Sequence, residues 1–178
     1  MGDAEYIKAF EGYIKDHRRV LQQYEKKIEN DEKRYSQNAS LFIEQIGKKE
    51  TVVEKLKSEF EKLKSEFKHI GHRDTYRKET QAVNEAFQKR DRERVAEFEE
   101  MAEQLKKRVP RIQEFRDLYT LGGKFLSMKE SYEGDMDIRS DIERIFKDTI
   151  SVFFSRIAQL NTAHPAKVML SAAFGDRY

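Results

Sequence analysis

Apolar residues recur at intervals of three and four along most of the chain, the pattern of amphipathic α-helices. In residues 98–112 one helical face carries Phe98, Met101, Leu105, Val109 and Ile112. Pro110 lies inside this stretch, and a proline removes a backbone donor and crowds the preceding turn. Because apolar spacing resumes at Phe115, the sequence predicts one long helix that bends at Pro110.

The first 46 residues also show helical spacing. Their apolar stripe is formed by Tyr6, Phe10, Tyr13, Ile14, Leu21, Tyr24, Ile28, Tyr35, Leu41, Phe42 and Ile46. Gly47 interrupts the stripe and could mark either a bend or a turn. A glycine inside a helix costs about 1 kcal/mol relative to alanine, which a long packed helix tolerates. The sequence therefore favours a bend at Gly47 over a chain reversal.

A seven-residue repeat follows, in which residues 55–60 recur as residues 62–67. Its apolar positions alternate spacings of four and three, as in a coiled-coil seam: Leu56, Phe60, Leu63 and Phe67. Residues 69–75 break this pattern, and Gly71 can end one helix while Asp74 or Thr75 begins the next. We therefore expect the tip of a helical hairpin here.

The C-terminal half is interrupted by Gly122, Gly123 and Gly134, and residues 131–137 resemble a turn. Helical spacing then returns, with a wide apolar face ending at Leu160. Such a face should be fully buried. We expect it between two subunits, through Phe146, Ile150, Phe153, Phe154 and Ile157. One helical domain over 1–165, ending near Pro165, and a C-terminal tail over 166–178 are expected.

The composition supports an all-α fold built as an elongated antiparallel coiled coil of long helices. Charged residues make up 38% of the 178 residues, with 8 Gly and 2 Pro, and the mean hydropathy is −0.89. Such a chain suits helices that bury a narrow stripe. No apolar run approaches the roughly 20 residues of a membrane span, and the absence of Cys is compatible with a reducing cytosol. A cytoplasmic protein is expected.

The sequence gives no support for catalysis, a cofactor or a metal. No nucleophile elbow, phosphate loop or Ser-His-Asp grouping is present. His69 and His72 lack a third ligand nearby, and Asp135 and Asp137 do not continue into a calcium-loop pattern. The aromatic residues do not form a base-stacking platform, so nucleic acid is not expected.

Several residues resemble the BAR family, and within it the amphiphysin branch. The match includes the Phe-Glu-Glu-Met of residues 98–101, then Leu105, Val109-Pro110 and Ile112, and it covers roughly residues 85–168. Further matching positions are Ala86-Phe87-Gln88-Lys89 upstream and Leu160, His164 and Lys167 downstream.

The resemblance implies a crescent-shaped antiparallel homodimer of kinked helices that binds anionic, curved membranes in endocytosis or membrane trafficking. It implies peripheral membrane association and trafficking or cytoskeletal partners. Basic residues on the concave face and tips would contact lipid. In this chain the candidates are Lys62, Lys64, Lys68, Arg73, Arg77, Lys78, Lys89 and Arg90.

The sequence leaves a second function open: a structural coiled-coil scaffold that binds other helices without membrane contact. In that case the basic residues form solvated helix faces, paired with glutamates three or four positions away such as Glu59, Glu66 and Glu93.

Overall fold

A computed structural model describes residues 2–160, and all the regular structure in this range is helical. The five α-helices are α1 (Asp3–Ile46), α2 (Val53–Glu66), α3 (Asp74–Arg108), α4 (Phe115–Glu133) and α5 (Arg139–Leu160). Short 3-10 turns form at Lys68–Ile70 and Val109–Arg111. The prediction of an all-α protein is confirmed. Where the sequence predicted one domain over 1–165 and a tail, the chain divides into unit 1 (Met1–Phe87) and unit 2 (Gln88–Tyr178).

Unit 1 is built around an antiparallel hairpin of α1 and α2. The ring of Phe42 lies 5.4 Å from that of Phe60, and the ring of Tyr35 lies 5.4 Å from that of Phe67. Residue numbers fall along α1 as they rise along α2, so the helices run in opposite directions. The start of α3 joins this core, because Tyr76 stacks on Tyr35 at 4.7 Å. The buried apolar side chains are Tyr35, Ala39, Ile46, Val53, Leu56, Phe60, Leu63, Phe67, Ile70, Val83 and Phe87.

Gly47 lies at a chain reversal, so the predicted bend is wrong. Helix α1 ends at Ile46, and α2 begins six residues after Gly47. Within this connection the Thr51 hydroxyl donates to the Gln45 carbonyl at 2.9 Å. Both helices have an apolar stripe, and only a reversal lets α2 bury its stripe against α1. Tertiary packing therefore outweighs the local tolerance of a helix for one glycine.

The predicted hairpin tip is confirmed. Helix α2 ends at Glu66 and α3 begins at Asp74. Between them, the Gly71 amide donates to the Lys68 carbonyl at 3.0 Å. A Cβ on Gly71 would lie only 3.0 Å from that carbonyl oxygen, so a larger residue would require the turn to shift by a few tenths of an ångström.

Unit 2 has its own core, formed by the antiparallel helices α4 and α5 and the part of α3 that belongs to it. The ring of Phe125 on α4 stacks on Phe146 of α5 at 5.4 Å and on Phe98 of α3 at 5.2 Å. The buried apolar side chains are Phe98, Ala102, Val109, Phe115, Leu118, Phe125, Ile138, Ile142, Ile145, Phe146, Ile150, Phe153 and Ile157.

At Pro110 the structure forms two helices where the spacing predicted one bent helix. Helix α3 ends at Arg108, and Ile112 has an extended backbone with φ −72° and ψ 131°. The extended residues before Phe115 stop the helix, and the Ile112 carbonyl accepts a hydrogen bond from Arg156 Nε at 2.7 Å. The turn predicted at 131–137 is present between α4 and α5.

The face of α5 that the sequence placed between subunits is covered by its own chain. Phe146, Ile150, Phe153 and Ile157 are buried in the core of unit 2, and Phe154 packs half-buried against that core. The four buried side chains are therefore not exposed to a second copy, and Phe154 is exposed only in part. His164, Pro165, Lys167 and the predicted tail 166–178 lie outside the described residues. No helix in the described range has the length and apolar content needed to cross a membrane.

Candidate functional site

The structure separates the eight candidate lipid-binding residues into two groups. Lys62, Lys68, Lys78 and Lys89 are exposed, and none of the four forms an ion pair within residues 2–160. The first three belong to unit 1 and lie at or near the hairpin tip, whereas Lys89 belongs to unit 2. These lysines can contact a soluble or surface-bound anion.

The other four candidates pair with carboxylates of the same chain. The pairs are Lys64–Glu61 at 2.6 Å, Arg77–Asp74 at 3.8 Å, Arg90–Glu93 at 3.4 Å, Arg90–Glu97 at 3.5 Å, and Arg73 with both Glu25 and Glu32. The Arg90 side chain is only 11% exposed, which leaves it little area for contact with a lipid headgroup.

Arg73 fastens the hairpin tip to α1. Its Nε donates to Glu32 Oε1 at 2.5 Å, and its Nη2 donates to Glu25. The hydrogen bond from Arg73 lowers the pKa of Glu32, and the two carboxylates raise the pKa of Arg73. His69 adds a contact from its Nε2 to Asp31 Oδ2 at 2.8 Å. The positive charges of the tip are thus partly neutralised by acidic residues about 40 positions earlier in the chain. Pairs this far apart cannot be recognised from the local sequence pattern.

The most unusual surface of unit 1 is an uncovered apolar face on the first half of α1. We call it the N-terminal stripe; its large apolar side chains are 38–76% exposed, and they are Tyr6, Ile7, Phe10, Tyr13, Ile14, Val20, Leu21 and Tyr24. Every residue from 2 to 27 is exposed. Single exposed apolar residues are common on protein surfaces, but a contiguous row of this kind marks an interaction surface.

The N-terminal stripe continues a seam that is buried further along the same helix. An apolar residue occupies every seventh position of α1: Ile7, Ile14, Leu21, Ile28, Tyr35 and Phe42. The second half of this row packs against α2, the hairpin tip and α3, with Tyr35 fully buried and Ile28 and Phe42 partly buried. The first half has the same spacing and no cover within the described residues.

The difference between the two halves follows from helix lengths. Helix α1 has 44 residues and α2 has 14, which correspond to about 66 Å and 21 Å. Helix α2 therefore covers only the end of α1 nearest Ile46, and the contact of Arg73 with Glu25 marks the reach of the tip. The sequence predicted the stripe on α1, but it did not predict how much of the stripe would be covered.

The charged groups buried in unit 2 have structural partners. Arg94 donates to Asp135 Oδ2 at 2.7 Å, and the Lys129 amine donates to Glu143 Oε1 at 2.7 Å and also pairs with Glu133. The hydrogen bond from Lys129 lowers the pKa of Glu143. Inside unit 2 these pairs join α3 to the turn that follows α4, and they join α4 to α5.

Comparison of the chain with family models, with curated proteins and with solved structures finds no match. The resemblance to the BAR family therefore stays a prediction, and the geometry of the chain's own surfaces carries the functional argument.

Proposed function

We propose that the chain is a helix-binding scaffold module, whose N-terminal stripe packs against the apolar face of another helix. The observation that supports this most directly is the continuity of the stripe. A seam that already binds helices of its own chain in one half of α1 extends with the same spacing into an exposed half.

The chemistry of the stripe suits a helical partner. Four of its eight large side chains are aromatic: Tyr6, Phe10, Tyr13 and Tyr24. Aromatic residues are enriched at protein interfaces, because each buries a large area and loses little conformational entropy on binding. An apolar face with spacings of three and four is also the form in which helices bind grooves and other helices.

A binding assay with full-length chain tests this function. We expect a labelled helical peptide with an apolar heptad seam to bind the chain, as measured by fluorescence anisotropy, while a scrambled peptide of the same composition does not. The panel contains designed heptad peptides of unrelated sequence and a peptide of residues 3–28. Replacing Ile14 and Leu21 with Glu should abolish binding, because each change places a carboxylate in the seam.

The matched control replaces Gln22 and Gln23 with Glu. These residues are exposed on the opposite side of the same helix, and the pair changes the net charge by the same amount. Binding should persist in this control. Failure of every seam peptide to bind at a concentration where the chain is monomeric, or equal binding by the Ile14→Glu/Leu21→Glu variant, would contradict the proposal.

A second proposal keeps the membrane function that the BAR resemblance implies, and the exposed lysines of unit 1 favour it. Lys62, Lys68 and Lys78 are exposed and have no ion pair in the part of the chain that the structure describes. Each basic residue near an anionic bilayer contributes about 1 kcal/mol. Three lysines therefore give only weak attachment per chain, and binding should depend strongly on salt.

We expect phosphatidylserine vesicles to co-sediment the chain at low salt, and the substitution of Glu at Lys62, Lys68 and Lys78 to remove this binding. Arg73 is left unchanged because it holds the tip to α1. The control carries Glu at Lys48, Lys49 and Lys55, exposed lysines of unit 1 away from the tip. Equal loss in both triple variants would indicate a general charge effect and contradict a lipid-binding tip.

A further inference from the structure

We infer that the N-terminal stripe binds the same stripe of a second copy in antiparallel orientation. This inference rests on the proposed helix-binding function and assigns its partner. Three features of α1 support it: the alignment of its heptad positions, the charges beside the seam and the distribution of charge along the exposed half.

The seam positions of α1 align with themselves when two copies run antiparallel. Ile7, Ile14 and Leu21 occupy one core position of successive heptads, and Phe10, His17 and Tyr24 occupy the other. In an antiparallel pair, each residue of the first set packs against a residue of the second set on the other helix. The resulting layers join Ile7 to Tyr24 of the partner subunit, Phe10 to Leu21 of the partner subunit, and Ile14 to His17 of the partner subunit.

A twofold axis repeats these three layers, so the interface contains six. It is isologous, since the same patch is used by both copies and the contact closes on itself. The paired segments span residues 7–24, about 27 Å of helix, and they end before Glu25, where the hairpin tip begins to cover α1. Each layer joins a branched aliphatic side chain to a ring.

The flanking residues complement each other in this alignment. One side of the seam brings Glu11 beside Arg18 of the partner subunit, and the twofold axis repeats this ion pair. The other side brings Tyr13 beside Val20 of the partner subunit, which widens the apolar contact. A parallel pairing in register would instead place His17 against its own copy and Arg18 beside a tyrosine, so it gains neither ion pair.

The charge along the exposed half of α1 also favours antiparallel pairing. Residues 3–11 contain three carboxylates and one lysine, whereas residues 15–27 contain five lysines and arginines and two carboxylates. Antiparallel overlap brings the acidic end of each helix to the basic end of the other. The helix dipoles oppose each other in the same arrangement. Opposite charges brought together in this way set orientation and partner choice.

Sedimentation analysis of the full chain between about 1 and 100 μM tests the inference. We expect a dimer whose dissociation constant rises about 100-fold or more in the Ile14→Glu/Leu21→Glu variant, because each chain then buries two carboxylates in the seam, one against Phe10 of the partner subunit and one against the imidazole of His17 of the partner subunit. The far-UV helical spectrum should be unchanged, since both residues are exposed in a single chain. The Gln22→Glu/Gln23→Glu control should dimerise like the wild type.

A charge exchange tests the orientation. Glu11→Arg alone should weaken the dimer, because it sets two arginines beside each other at both copies of this contact, and adding Arg18→Glu should restore it. The chain has no cysteine, so a mixture of Phe10→Cys and Leu21→Cys chains should form a mixed disulfide dimer more readily than either variant alone.

Three outcomes would overturn the inference: a wild-type chain that stays monomeric at 100 μM, a dimer unaffected by the seam carboxylates, or no recovery on charge exchange. If the chain is monomeric but binds a heptad peptide of unrelated sequence, the proposed helix binding stands and only the self-pairing fails. If a monomeric chain binds phosphatidylserine vesicles and the Ile14→Glu/Leu21→Glu variant does not, lipid covers the stripe and self-pairing is excluded.

Discussion

Replacing Arg94 with methionine is expected to lower the free energy of unfolding by about 3–5 kcal/mol. Arg94 on α3 is 7% exposed and Asp135, after α4, is 3% exposed. Their ion pair has a length of 2.7 Å, and the guanidinium also lies over the Tyr132 ring. Methionine keeps much of the side-chain volume but removes the charge that balances the buried carboxylate. The loss of stability comes mainly from the buried charge that is left without a partner.

Two further variants separate the charge from the loss of packing. Arg92→Met changes an exposed arginine on the same helix and should alter stability by no more than about 0.5 kcal/mol. The double variant Arg94→Met/Asp135→Leu should recover most of the lost stability, since it removes the buried carboxylate of Asp135 together with its counterion. Chemical denaturation followed by circular dichroism measures all four chains. If Arg94→Met lowered the free energy of unfolding no more than Arg92→Met, the prediction would be contradicted, and Asp135 would have to be solvated by water.

The helices themselves could be predicted from the sequence, because their apolar spacing is regular and turn residues mark two of the breaks. The hairpin tip near Gly71 and the turn near Gly134 are both in the structure. In each case a helix ends at the place where the spacing is interrupted by glycine and polar residues. Local chemistry is sufficient there, since the geometry of a turn depends on a few neighbouring residues.

Gly47 and Pro110 needed information that the local sequence does not contain. A glycine can bend a helix or end it, and at Gly47 the deciding factor is that α2 has a stripe to bury against α1. Near Pro110, the extended residues before α4 end the helix and place the Ile112 carbonyl beside Arg156. Both outcomes depend on contacts between segments that are distant in sequence, where local propensity is a weak guide.

The candidate site shows the same limit more clearly. The apolar faces of α1 and α5 have similar spacing, and spacing alone cannot distinguish a buried stripe from an exposed one. The structure buries the face of α5 against α4 and leaves half the face of α1 uncovered. The sequence also cannot show which basic residues are available for binding. Arg73 pairs with Glu25 and Glu32, while Lys68 is not paired within residues 2–160. The proposed interface therefore moves from α5 to α1.

Replacing Phe146 with alanine is expected to lower the free energy of unfolding by about 3–5 kcal/mol. The Phe146 ring is fully buried, stacks on Phe125 at 5.4 Å and lies 4.7 Å from the Lys129 amine. Removing the ring leaves a cavity between α4 and α5, and it also takes an aromatic face from a buried cation. Thermal and chemical denaturation at one fixed protein concentration measure the loss.

The oligomeric state of the same variant separates a core residue from an interface residue. A core role requires that Phe146→Ala lowers stability while sedimentation shows the same association as the wild type, because the substitution changes unit 2 and leaves the N-terminal stripe of unit 1 intact. Tyr119→Ala, which removes a 43% exposed ring from α4, should cost much less and provides the matched control. A stable chain that lost its self-association on Phe146→Ala would return the interface to α5 and contradict the burial of this ring within a single chain.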